Sequence, residues 1–383
     1  MPRGYLDAAS GQPLHPAART AAAGFSDRVW ADPSMPHHEG RTARQVLEAA
    51  RATVAEVIGT DPSSVGFLRA GHDVAMLAVE GLAAGANGGH RRQTVHVYTS
   101  AVERSAVLEV ADTIGGAAGT HIIEVDRVGR ISDDAFRAAL AITPVGDTRI
   151  AVFQAANIEL GTRQPLASLL GTAAAEQIPV AIDGTGALGW IDIDPGWSAL
   201  FADAQGFAGP RGAAILAVEA GARWRLPSPQ ADHTRPPEPD DVAAAVKTAA
   251  ALDGVYQDRI HESARLSELV QRIRDRVRRT VPDVELLGDA DNRLPYLVTF
   301  SCLYVDGERL AMELDRLGFA VGSGSACASR TGLPSHVLTA IGSLTHGNVR
   351  ISLPIGCLAA TVDAFLAVLP EAVARVRAEA GAP

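Results

Sequence analysis

Short apolar runs alternate with helix-periodic segments over residues 64–217, and this alternation constrains the fold more than any other feature of the chain. Segments 64–68, 93–99, 121–125, 149–153 and 178–182 read as strands, and 102–115, 132–142 and 165–176 between them read as helices. A turn at Ala70-Gly71-His72-Asp73 leads into an apolar helix over 74–83, and two more short strands, 201–203 and 213–217, flank a glycine-rich turn. Strands and helices at this spacing predict crossover units, and so a mostly parallel sheet covered on both faces. Upstream, 43–59 has helical periodicity, with Val46, Leu47, Ala50, Val54 and Ile58 on one face.

The pattern changes in the last third. Segment 226–241 is rich in Pro and Asp and reads as a loop. A helix carrying Val242, Ala245, Val246 and Ala249 follows, and 266–281 reads as a second long helix. The second carries Arg272, Arg274, Arg276, Arg278 and Arg279, a charge run that reads as a solvated face, with docking of an acidic partner as the alternative. From Tyr296 onward the order is strand, helix (306–317), strand (319–321), loop, helix (335–341), strand (348–353) and a C-terminal helix (360–379).

A chain of 383 residues is long enough for one large domain and a smaller one. The net charge of −10 argues against a nucleic-acid-binding surface. No apolar run is long enough to cross a bilayer, and the first residues lack the apolar stretch of a secretory signal, so a cytoplasmic location is expected. Cys302, Cys327 and Cys357 are odd in number and lack metal-ligand spacing. Cys302 lies in a predicted strand and Cys357 at the start of the last helix, both positions that suit packing. The chain holds one lysine, Lys247, against 33 arginines, so any lysine chemistry must use Lys247.

Cys327 is different. It sits in Gly322-Ser323-Gly324-Ser325-Ala326-Cys327-Ala328-Ser329-Arg330, between a strand-like run and the helix start Leu333-Pro334-Ser335-His336. Small neighbours leave a sulfur reachable, and glycines let the loop move. A nearby helix N-terminus favours a thiolate. A small buried apolar residue is the competing reading of such a cysteine.

This loop resembles the active-site loop of cysteine desulfurases, the pyridoxal-phosphate (PLP) enzymes of the class V aminotransferase superfamily. The resemblance covers nearly the whole chain and extends to Asn348-Val349-Arg350-Ile351-Ser352-Leu353, where the family's arginine holds the substrate carboxylate. It implies an α/β, fold type I architecture: a large domain (16–255) with a mostly parallel seven-stranded sheet, and a smaller α+β domain (1–15 and 256–383) carrying the Cys327 loop. It also implies a homodimer, or a heterodimer with an active desulfurase, and a sulfur-acceptor protein as partner.

The cofactor positions depart from the family pattern. Against S-x-H-K-x-x-G-P-x-G, the chain reads Asp203-Ala204-Gln205-Gly206-Phe207-Ala208-Gly209-Pro210-Arg211-Gly212, so Gly206 stands at the Schiff-base lysine and Gln205 at its histidine. Arg104 replaces the histidine that stacks on the cofactor ring. Asn157-Ile158-Glu159-Leu160-Gly161 matches N-N-E-I-G, with Asn157 kept beside the substrate and Ile158 in place of the second asparagine. The phosphate-cradling G-x-T-E turn reads Ala70-Gly71-His72-Asp73, and Gly186 takes the position of a glutamine. Asp183 survives where the family's aspartate pairs with the pyridine nitrogen. The family's G-T-x-P segment is not recognisable in 232–239. These changes imply that no covalent PLP forms and that noncovalent PLP binds poorly, with two readings of the pocket: Arg69, His72 and Arg104 as a new anion site, or His72 and Arg104 paired within the structure. Three functions follow: sulfur transfer through Cys327 and Arg350 without PLP, a working PLP enzyme with an atypical anchor, or a non-catalytic scaffold.

Overall fold

The computed structural model describes residues 4–25, 29–86, 94–144, 146–226, 236–237, 241–323 and 334–381. The chain enters through β1 (Gly4–Leu6), α1 (Pro16–Phe25) and α2 (His38–Ile58). Strands β2 (Val65–Arg69), β3 (Val95–Ser100), β4 (Thr120–Ile123), β5 (Thr148–Gln154), β6 (Val180–Asp183), β7 (Ala199–Asp203) and β8 (Ala213–Val218) then form one sheet. Its order is β2-β8-β7-β6-β5-β3-β4. Only β8 opposes its neighbours, pairing antiparallel with both β2 and β7. This is the mostly parallel seven-stranded sheet that the alternation predicts.

Both faces of the sheet are buried, as crossover connections require. Along β5, Ile150 and Val152 join the cluster with Val79, Val107 and Val110, while Ala151 and Phe153 join the cluster with Leu169 and Leu252. The period-two alternation thus sends successive side chains into separate cores. The first core includes α3 (His72–Ala86) and α4 (Ser105–Gly119), and the second includes α5 (Asp133–Ala141) and α6 (Leu166–Ala175).

The two helices expected after residue 241 are one. Helix α7 runs unbroken over Val242–Thr280, through the expected domain boundary at 255/256. No proline interrupts it, and Leu252 and Val255 carry its buried stripe across the junction. Gly254 allows a close approach here, since a Cβ at that position would lie 2.3 Å from the His15 ring.

Beyond α7, β9 (Val284–Leu286), β10 (Leu297–Cys302), α8 (Gly307–Arg316), β11 (Phe319–Val321), α9 (His336–Ala340), β12 (Asn348–Ser352) and α10 (Ala359–Glu379) complete the described chain. An antiparallel sheet orders β12-β10-β9, and β1 pairs in parallel with β11, which ties the two chain ends together. Among the described residues, no helix is long and apolar enough to cross a membrane.

Candidate functional site

The carboxyl ends of β6 and β7 lie side by side, and each ends in an aspartate. The edge of a parallel sheet is where such folds form their crevices. Asp183 is 1 % exposed and Asp203 is 3 % exposed. Two buried carboxylates on neighbouring strands repel unless a cation joins them. Arg104 supplies it: Nε donates to Asp183 Oδ2 at 2.6 Å, and Nη1 donates to Asp203 Oδ2 at 2.8 Å. Burial works against the Arg104 charge, but the two carboxylates outweigh it and hold the guanidinium above its ordinary pKa.

The remaining oxygens are also engaged. Asp183 Oδ1 accepts the Thr185 N–H at 2.9 Å. Asp203 Oδ1 accepts the Gly71 N–H at 2.8 Å, just before α3 begins at His72. A carboxylate is favoured at that positive helix end. Arg104 itself is the N-cap of α4 and makes no side-chain cap. A cation at a helix N-terminus is unfavourable alone, so the two aspartates also offset that cost. The chain's own side chains therefore place a negative charge at the Ala70-Gly71-His72-Asp73 turn and a positive charge on Asp183.

Gly206 lies in a 3-10 turn (Ala204–Phe207) directly after β7. A Cβ there would lie 2.6 Å from the Gly186 nitrogen and 3.2 Å from its Cα. Gly186 has φ +79°, and a Cβ on it would meet Ile158 Cγ2 at 2.6 Å and the Tyr296 hydroxyl at 3.0 Å. Main chain and Ile158 thus occupy the room into which side chains at 206 and 186 would project. Trp190 Nε1 donates to the Gly206 carbonyl at 3.0 Å, and the Tyr296 hydroxyl donates to the Gly186 carbonyl at 2.7 Å, which fixes both glycines.

Glu103, beside Arg104, is fully buried. Its Oε1 accepts from Ser100 Oγ at 2.8 Å and from the Gln154 N–H at 3.0 Å, while Oε2 has no partner among the described residues. Burial pushes its carboxyl up to about 8.

The other end of the crevice is built by β12 and the N-terminal arm. Arg350 Nη2 donates to Asp7 Oδ1 at 2.9 Å and to Ser10 Oγ at 2.6 Å, and Nη1 donates to the Ile158 carbonyl at 3.3 Å. Its Nε is buried without a partner among the described residues. Glu159 accepts from Ser335 Oγ at 2.7 Å, just ahead of α9. Burial raises the Glu159 carboxyl, while Ser335, Arg350 and His336 draw it back. His336 Nε2 lies 2.8 Å from the Glu103 carbonyl oxygen, so the start of α9 is tied to both ends of the crevice.

This geometry bears on Asn157, Arg104 and Lys247. Asn157 does not offer its amide to a substrate: Nδ2 donates to the Val102 carbonyl, and Oδ1 accepts the Glu159 and Leu160 N–H groups, so it shapes the turn that presents Ile158 and Glu159. For Arg104 the geometry favours pairing within the structure over an anion site: Nε and Nη1 are held by two carboxylates, while Nη2 is buried without a partner among the described residues. Lys247 is half-buried and lines two cavities: one of about 870 Å³ with Arg69 and exposed His72, and one of about 500 Å³ with Gln205 and Ser10. Cys327, its loop through residue 333, and most of segment 232–239 lie outside the described residues. Asp203 was missed by sequence reasoning, although it stands where the resembled segment opens with serine. Tyr296 gave no sequence signal.

Comparison with known proteins agrees with the fold. The Aminotransferase class-V family profile matches residues 4–231 and 239–365. The IscS-like cysteine desulfurase of Mycobacterium tuberculosis is 34% identical over 390 residues, covering 97% of each chain. Cysteine desulfurase IscS of Dictyoglomus turgidum is 30% identical over 383 residues, covering 97% of this chain and 95% of that one. A solved NifS-like protein superposes with a TM-score of 0.85 at 21% identity, covering 97% of this chain and all of the other.

Proposed function

Because the chain belongs to the class-V aminotransferase family, with cysteine desulfurases as its relatives, we propose that it works in sulfur transfer through Cys327, without a Schiff base at position 206. The observation that carries this reading is the Arg104 bridge. The guanidinium engages Asp183, the partner expected for a pyridinium, and holds Asp203 at the turn expected for a phosphate. A bound PLP phosphate would face the Asp203 carboxylate, and its ring nitrogen would compete with Arg104 for Asp183. Gly206 carries no amine, and its Cβ direction ends on the Gly186 backbone. The residues present do not fit the family's cofactor, and no step is derived through it.

Without that electron sink, the carbon–sulfur bond of free cysteine is not broken by the family's route. A persulfide donor avoids the need for it. The Cys327 thiolate attacks the outer sulfur of the donor, a new S–S bond forms as the donor's S–S bond breaks, and the donor leaves as a thiolate. No external oxidant or reductant enters. Arg350 suits a donor that carries a carboxylate, because its fork gives parallel charge-assisted bonds and its Nε has no partner among the described residues. Cys302 and Cys357 are poor alternatives: burial pushes their thiols up to about 12 and about 11.

The test is the visible absorption spectrum of purified protein before and after PLP, followed by gel filtration and then cysteine. We expect no retained cofactor band, and a persulfide on Cys327 after exposure to a low-molecular-weight persulfide. A retained band that shifts with cysteine, or unchanged persulfide uptake in Cys327→Ser, overturns the proposal.

A further inference from the structure

The chain's single lysine borders two cavities. Lys247 lies on α7, and with Pro210 and Arg211, from the turn between β7 and β8, it lines both. The larger, of about 870 Å³, also has Arg69 in its wall. The smaller, of about 500 Å³, is shared between that turn and the N-terminal arm, which contributes Tyr5, Ser10 and Leu14. The His15 N–H donates to the Ala208 carbonyl at 2.8 Å and so fixes the arm against the turn.

The two cavities differ in charge. The wall of the larger holds Asp73, Glu80 and Asp241 beside Arg69, Arg211 and Lys247, three carboxylates with three cations. The smaller has Arg211 and Lys247 and no carboxylate among its described lining residues. The carboxylates around it are committed elsewhere. Asp7 in the arm pairs with Arg350 at 2.9 Å, Asp203 ahead of the turn pairs with Arg104 at 2.8 Å, and Asp241 caps α7 by accepting the Ala244 N–H at 2.9 Å. Neither Arg211, which is exposed, nor half-buried Lys247 forms an ion pair among the described residues. A cleft lined by one sign of charge concentrates ions of the other sign. The smaller cavity is also the size of a site for an organic molecule, roughly 300–1,000 Å³. Tyr5, Leu14 and Pro210 offer apolar surface to a carbon skeleton, and the Gln205 amide in the same wall has no hydrogen-bond partner among the described residues.

We propose that this smaller cavity binds a small organic dianion, a phosphate monoester or a dicarboxylate, with Arg211 and Lys247 holding its charge. Two negative charges match the two unpaired cations. The Arg211 fork gives paired bonds to either oxyanion, and Lys247 adds a point charge. The site adjoins the Arg350 position without including it: Ser10 lines the cavity, and its Oγ accepts from Arg350 Nη2 at 2.6 Å. The inference is independent of the chemistry at Cys327.

The experiment is thermal melting of the full chain in glycerol phosphate and, separately, in succinate. Chloride keeps the ionic strength constant, and glycerol is the uncharged control. At least one dianion should give a saturable rise in Tm, and the one that does identifies the oxyanion. Lys247→Gln and Arg211→Gln should each weaken half-saturation about tenfold, the loss of one charge-assisted contact. Lys247→Arg keeps the charge and should restore most of the affinity, which a purely structural role for the lysine does not predict. Arg69→Gln, which alters the larger cavity alone, should respond as wild type does. No saturable rise with either dianion, an equal rise in glycerol, an unchanged half-saturation in Lys247→Gln or Arg211→Gln, or an equal loss in Arg69→Gln overturns the site.

Discussion

The two ends of one crevice are built in opposite ways. At the sheet end, Asp183 and Asp203 have side chains only 1 % and 5 % exposed, Arg104 between them is 15 % exposed and answers both charges, and Gly206 packs on Gly186 with no space between them. At the β12 end, Arg350 is held by Asp7 and Ser10 from the N-terminal arm, and the side chains of the Arg350–Asp7 pair are 16 % and 18 % exposed. The first arrangement is closed by partners that are part of the core. The second is closed by a short arm whose ion pair is partly exposed. The comparison separates a crevice end whose carboxylates are buried from one whose ion pair is partly exposed on both sides.

The strongest way to break the comparison is Arg104→Ala. It leaves Asp183 and Asp203 buried, adjacent and unpaired, and removing one partner of a buried pair costs about 3–5 kcal/mol. Urea unfolding should show that loss. Adding Asp183→Asn and Asp203→Asn to the same chain should recover most of it. If Arg104→Ala unfolds at the wild-type midpoint, the sheet end is not closed by this ion pair.

Gly206→Lys asks whether the lysine alone is missing. The new side chain must push the Gly186 backbone aside, and overpacking of this kind costs roughly 1–3 kcal/mol. The variant should melt lower than wild type and retain no cofactor absorption after PLP and gel filtration. Stable retention of PLP by this single variant would mean that Arg104 and Asp203 do not exclude the cofactor.

Glu103→Gln sharpens the same contrast through pH. The folded carboxyl titrates at about 8, above its unfolded value of 4.5. Its contribution to stability is therefore fully present below about pH 4.5, declines as the unfolded state ionises, and is lost as pH rises through 8. Within that window the wild type should lose up to about 1.4 kcal/mol per pH unit relative to the variant. Parallel stability–pH profiles for the two proteins would show that Glu103 is not buried neutral.

What the sequence disclosed follows from what periodicity and short motifs encode. The sheet was legible because its strands are apolar on both faces and each helix between them has its own stripe. The single α7 was not, because a helix junction is marked only by breakers, and Gly254 with a polar stretch around it mimics one. At the site, glycine rather than lysine at position 206 could be read from one motif. The Arg104 bridge could not, since Arg104, Asp183 and Asp203 are far apart in the chain and only the order of β6, β7 and α4 brings them together. Asn157 looked like a ligand contact because turn-shaping and substrate binding use the same side chain. Asp7 lies 343 residues from Arg350, and the pairing of β1 with β11, with the Asp7–Ser352 bridge to β12, brings the two ends together.

The smallest expected effect belongs to the open end. A partly exposed ion pair contributes at most about 1 kcal/mol, so Asp7→Asn should shift the melting temperature little. Its effect should instead appear in binding. With Asp7 neutral, the Arg350 guanidinium loses its competing carboxylate and should take up an external one more readily. Quenching of tryptophan fluorescence by a carboxylate-bearing thiol such as cysteine should therefore saturate at lower concentration in Asp7→Asn than in wild type, and should vanish in Arg350→Ala. The double variant should behave as Arg350→Ala alone. If Asp7→Asn weakens binding, the aspartate orients Arg350 rather than occupying its ligand position, and the arm belongs to the site as a fixed wall instead of a displaceable partner.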